Sequence, residues 1–123
     1  MVSQSGPAWT LLRGTAEVYV FLSEGGENEG DVIQVVAPVM QPTDEPERRN
    51  QLYERLLLLN ASQLTGAAFG LRGNDIVVTT DRSTTGLDRV EVEEMIRRVG
   101  EYAHHFVDEL TTTYGGRRHT ESV

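Results

Sequence analysis

Two kinds of apolar spacing succeed one another along this chain, and each occurs twice. From Thr15 to Leu22 the period is two. Ala16, Val18, Val20 and Leu22 fall on one side, Glu17, Tyr19 and Phe21 on the other. Alternation in a β-branched and aromatic run predicts a strand. The second side carries two aromatics, so it is expected to be partly covered as well. The stretch Trp9–Ser23 reads as one long strand, with Gly14 marking a bend or bulge. Glu24–Asp31 is a glycine and acid loop, too polar to pack. A second strand spans Asp31–Met40, through Val32, Ile33, Val35, Val36 and Val39. Pro38 lacks a backbone donor, so this strand should end there or lie at an edge.

Helical spacing follows a turn at Gln41–Glu45. Thr43 or Asp44 can cap the helix, and Pro46 suits its first turn, where a missing N–H costs nothing. Leu52, Leu56, Leu59 and Tyr53, Leu57 recur at three- and four-residue spacing. The run Leu56–Leu59 leaves little room for a solvated face, so the helix Pro46–Leu59 should be covered on more than one side. Asn60 tolerates left-handed geometry and is the expected stop. Period two then returns in two short strands, Ala67–Leu71 and Ile76–Thr80, around a hairpin at Gly73-Asn74-Asp75. After a polar loop, Leu87–Thr113 is the second helix. Asp88 with Glu91 makes a capping-box-like start, and Leu87 and Val92 fit the staple around it. Val92, Met95, Ile96, Val99, Ala103, Phe106 and Leu110 trace one face, and Gly115-Gly116 stops the helix.

The order ββαββα predicts an α+β fold, a mainly antiparallel sheet with two helices packed on it. Length bounds this to one domain, able to bury a core without disulfides or metal. That domain spans residues 9–116, between a disordered tail at 1–8 and a flexible tail at 117–123.

Composition narrows the chemistry. There is no cysteine, which excludes disulfides and thiolate metal sites. All 11 basic residues are arginine, which excludes lysine Schiff-base chemistry. The net charge of −8 would repel nucleic acid unless the arginines clustered. The pairs Arg48-Arg49, Arg97-Arg98 and Arg117-Arg118 each have acidic neighbours, so no nucleic-acid binding is expected. No segment approaches the ~18 apolar residues of a membrane span, and the N-terminus lacks a basic region followed by an apolar run. The expectation is a cytoplasmic protein without membrane contact.

His104-His105 is the best candidate for catalysis or metal binding, with Glu101, Asp108 and Glu109 at helical spacing from one or other ring. No third ligand is evident, and a solvated face of acid–histidine pairs explains the residues as they stand. Asp81, Asp88 and Glu91 read as a loop acid followed by helix caps. Ser83–Gly86 reads as a capping loop, although backbone donors there could meet an anion. Neither a phosphate loop nor a nucleophile elbow is present. No enzyme, cofactor or metal is expected.

The segment Leu56–Thr80, LLLLNASQLTGAAFGLRGNDIVVTT, resembles the corresponding region of the YbjN family, the putative bacterial sensory-transduction regulators. The shared elements are Leu59-Asn60, Gly66, Ala68-Phe69 and Ile76-Val77-Val78. The resemblance extends upstream to Trp9–Val20, with Arg13-Gly14, and to Ala37-Pro38. Downstream it takes in Leu87-Asp88 and Ala103–Gly116. It covers residues 9–116. The same pattern is similar to class I chaperones of type III secretion, of fold αβββαββα. Those chaperones are small acidic homodimers that hold an extended segment of a client. The resemblance implies that fold, and a non-enzymatic role in protein binding, chaperone-like or regulatory. A structural or regulatory homodimer without a client groove, and a small-ligand- or metal-binding protein using the histidine pair, are the alternatives. No amphipathic helix is read before Trp9, so the surface it would cover is expected to be open or covered by a partner subunit. Tyr19, Phe21, Leu57, Leu58 and Phe106 are the candidate interaction surface. Homodimerisation through the second helix or the exposed sheet face is expected, together with an extended protein client.

Overall fold

The computed structural model describes residues 9–25 and 30–119. The expected tail at 1–8 and the last four residues of the tail at 117–123 lie outside the described residues. Eight elements follow in order: β1 (Trp9–Arg13), β2 (Ala16–Ser23), β3 (Val32–Gln41), α1 (Pro46–Ser62), β4 (Ala68–Arg72), β5 (Asp75–Ser83), α2 (Arg89–Tyr114) and β6 (Arg117–Arg118). The strands make one antiparallel sheet in the order β1-β2-β3-β5-β4, with β6 paired to β3. The α+β class and the antiparallel sheet carrying two helices are as the spacing predicts.

Trp9–Ser23 is a hairpin rather than one bent strand. Arg13 pairs with Ala16 across Gly14-Thr15, and Gly14 has φ 62°. Gly73 has φ 63° at the matching place in the β4–β5 hairpin, where Arg72 faces Asp75. Positive φ at the first loop residue alone defines a type II′ turn, which glycine adopts without strain.

β3 does not stop at Pro38 and is central, not an edge. It runs to Gln41, and the proline is accommodated where the ladders break. Pairing with β2 ends at Val36, and the register with β5 shifts between Pro38 and Met40. A bulge absorbs the missing donor.

The helices cover one sheet face. Beneath them Val18, Val20, Val35 and Val78 are fully buried, together with Leu52 and Leu59 of α1 and Val99 and Leu110 of α2. α2 begins as expected: the Asp88 carboxylate accepts from the Glu91 amide at 2.8 Å. α1 begins with Pro46 after Glu45, which makes no side-chain cap. Neither Thr43 nor Asp44 is the cap; Thr43 Oγ1 instead accepts from the Glu45 amide at 3.3 Å. α1 also runs past Asn60 to Ser62, because Asn60 does not adopt the left-handed backbone that would stop it. The opposite sheet face holds a smaller cluster of Phe21, Val36 and Val77, with Tyr19 packed against it. At the C-terminus Arg117 and Arg118 form β6 where fraying was expected.

Candidate functional site

Four consecutive leucines step through about 300° of a helix, so a single sheet cannot receive them all. Leu56 and Leu59, three apart, face inward and are buried. Leu57 and Leu58 point away and stand 69% and 56% exposed. The helix packs against both β4 and α2, as the leucine run predicts, but nothing among the described residues covers Leu57 and Leu58.

The neighbouring edge strand is tied to the last turn of α1 by Asn60. Asn60 Oδ1 accepts from the Phe69 amide at 2.7 Å, and Asn60 Nδ2 donates to the Phe69 carbonyl at 3.2 Å. Both backbone groups of Phe69 therefore face away from β5, and Asn60 stands in for the strand that β4, at the sheet edge, lacks. Leu71, two residues on, is 57% exposed. Tyr53, Leu56, Leu57, Phe69 and Leu71 line an apolar groove of about 220 Å³ between helix and edge strand. On the other flank of α1 a hollow of about 260 Å³ lies between Gln51, Glu54, Arg55, Leu58 and Tyr114. Arg55 bridges its floor to α2 through Glu109 at 3.0 Å. Leu57 and Leu58 thus form an apolar ridge between two grooves.

The other members of the expected surface lie elsewhere. Phe106 is a core residue, 4% exposed, edge-on to Phe69 at 5.7 Å and stacked near Tyr102. Its place in the periodic face of α2 already pointed inward. Phe21 is also buried: the Arg72 guanidinium lies 4.1 Å above its ring. Tyr19 is half-buried and donates to Glu17 at 2.9 Å. Burial first, then that hydrogen bond and the glutamate charge, hold its phenol above the ordinary range. The outer sheet face is therefore closed at its centre by its own side chains. Leu57 and Leu58 remain, joined by Leu71, which the strand pattern placed on the Phe69 face without showing that this edge is open. Trp9 and Leu12 are further exposed apolar residues, on β1 at the opposite edge of the sheet.

The polar candidates are dispersed. His104 Nδ1 lies 2.8 Å from Thr15 Oγ1 and accepts from the Thr15 amide at 3.4 Å, holding the first hairpin against α2. His105 is exposed and sits edge-on to Phe106 at 4.7 Å. Asp88 caps α2, Glu91 pairs with Arg82, and Asp81 faces Gln34 across the sheet. Ser83 Oγ accepts from the Thr85 amide at 3.1 Å, within the turn before α2. Among the described residues no three His, Asp or Glu side chains gather in a metal-sized group.

A family model described as "YbjN: Putative bacterial sensory transduction regulator" matches residues 2–112. The chain belongs to the YbjN family. The match takes in the Leu-Asn step that ends in the Asn60 clamp, so the YbjN resemblance and the clamp fall on the same residues. No curated protein matches the chain. Among solved structures, this YbjN chain is similar to one in the crystal structure of the ExsC–ExsE complex. The TM-score is 0.57 at 16% identity, over 83% of this chain and 74% of the other. At that identity the likeness is one of fold. It agrees with the secretion-chaperone-like architecture expected from the sequence. Among the described residues no helix is long and apolar enough to cross a membrane.

Proposed function

We propose that this chain is a non-enzymatic protein-binding module, chaperone-like or regulatory, that acts in the cytoplasm as a homodimer. The ridge of Leu57 and Leu58 beside the Tyr53–Leu71 groove carries the proposal. A ridge flanked by grooves is its own complement across a two-fold axis, and the two-fold dimer is the commonest homo-oligomer. An apolar patch of this kind on an acidic protein meets a partner. The dimer surface then belongs to α1 and β4, and neither to α2, whose outer face is charged, nor to the sheet face closed by Arg72. Family membership and the fold shared with a chain solved in a two-protein complex support protein binding. The partner is proposed to be an extended segment of another protein.

Sedimentation equilibrium at micromolar concentration tests the dimer. A species of twice the 13.7 kDa chain mass is expected, with more than about 1,000 Å² buried. Leu57→Arg combined with Leu58→Arg should return the monomer, raising the dissociation constant at least about a hundred-fold. A wild-type monomer at these concentrations overturns the reading. The closed outer sheet face favours a second reading, a regulatory dimer that holds no client. Failure of a verified dimer to retain any extended peptide would support it.

A further inference from the structure

β6 sits in an unusual place. β5 already occupies one edge of β3 at Met40, so β6 lies on the edge that β2 occupies farther along. β2 leaves that edge at Val36, just before Pro38, and β6 takes up the vacated positions, Arg118 opposite Met40 and Arg117 opposite Gln41. The chain thereby fills a strand-sized slot in its own sheet with its own C-terminal residues.

The slot selects for charge. Arg118 pairs with Asp108 of α2, His119 Nε2 lies 3.4 Å from Glu17 of β2, and Arg117 Nη2 donates to Gln41 Oε1 at 3.4 Å. A cavity of about 20 Å³ beneath is lined by Pro38, Val39, Ala103 and Val107 together with Arg118 and His119. The surroundings thus offer carboxylates, an amide and a β-strand edge, the complement of a short basic segment in extended form. β6 meets β3 at two ladder positions, and its ion pair with the exposed Asp108 contributes little in water. Entry depends on Gly116, at φ 91°, where a Cβ would stand 2.3 Å from the Gln41 carbonyl oxygen.

We propose that the β3 edge at Met40–Gln41 is a strand-addition site for a basic extended segment of a protein partner, occupied in cis by Arg117–His119 until that segment displaces them. This names the client site of the protein-binding reading and rests on it.

The probe is a fluorescein-labelled peptide of the chain's own residues 115–123, GGRRHTESV, titrated by anisotropy into the full-length protein. Gly116→Val should unseat β6, and the variant should bind the peptide at least about ten-fold more tightly than wild type. Exchanging both peptide arginines for glutamate should abolish that gain. Equal binding by wild type and variant overturns the proposal, as does equal binding of the acidic peptide. If circular dichroism shows Gly116→Val unfolded, Arg118→Glu, which breaks the pair with Asp108, supplies the same comparison. A variant that gains mass instead of binding peptide exchanges tails between copies, and that also overturns the client site. Loss of the site in a protein that still sediments as a dimer leaves the α1 interface standing, whereas a monomeric wild type removes that interface whatever the peptide does.

Discussion

α1 and α2 lie on the same face of one sheet, and both are rich in apolar side chains, yet α2 is finished within the chain and α1 is not. In α2, Met95, Ile96, Val99, Ala103, Phe106, Val107 and Leu110 fall in one stripe and are buried. The outer side carries Arg97 between Glu94 and Glu101, at 2.6 and 2.7 Å, and Arg89 beside Glu93. In α1 the apolar residues are consecutive. Leu56 and Leu59 reach the sheet while Leu57 and Leu58 face outward. The placement of leucines around the axis, more than their number, decides whether a helix needs a second partner.

The largest test of that contrast uses one core residue and one ridge residue. Phe106→Ala should lower unfolding free energy by about 3–5 kcal/mol, as for other buried aromatics. Leu58→Ala, measured in urea at concentrations too dilute for a dimer, should stay within about 0.5 kcal/mol, as surface changes do. Equal costs would erase the distinction between the helices.

Asn60 sharpens the comparison from the side of α1. Asn60→Ala removes a donor and an acceptor from the Phe69 backbone and should cost about 1–3 kcal/mol. Faster amide exchange at Phe69 should accompany it. Unchanged stability with unchanged exchange would show that the clamp is idle. The two helix starts differ on a smaller scale. Asp88→Ala removes a cap and should cost about 1 kcal/mol. Glu45→Ala, where no side-chain cap exists, should cost clearly less in the same thermal melts.

The smallest effect concerns the charged side of α2. The hydrogen bond from Arg97 holds the Glu94 carboxyl below its ordinary value, and the charges of Arg97 and Arg98 add to this. A carboxyl lowered in the folded state stabilises it above the unfolded value and loses that contribution as pH falls through the folded one. Glu94→Gln should therefore flatten the acid limb of the stability profile slightly, and added salt should do the same to wild type. An acid limb identical in wild type and variant would assign no role to the pair.

Most elements were legible in the residues because their causes are local. The stripe of α2, its Asp88 cap, Pro46 at the start of α1 and the Gly73 hairpin each depend on residues a few positions apart. Gly14 was the ambiguous case. A glycine in an alternating run fits both a bulge and a two-residue turn, and pairing of Arg13 with Ala16 decides between them. Of the expected surface, Leu57 and Leu58 could be found because four adjacent leucines cannot share one face. Phe21 could not be assigned to an exposed or buried site without its cover, Arg72, which lies far along the chain, whereas the stripe of α2 already marked Phe106 as inward-facing.

The sequence by itself determined the α+β class, the two helices, the β4–β5 hairpin and the excess of leucine on α1, since backbone periodicity and capping act over one or two turns. Tertiary structure alone decided that Asn60 clamps Phe69, that Arg72 closes the outer sheet face, and that β6 fills the edge β2 leaves at Val36. Those outcomes depend on which distant backbone groups are left without partners once the sheet has formed. No local pattern records that, because an unpaired edge exists only after every other strand has taken its place.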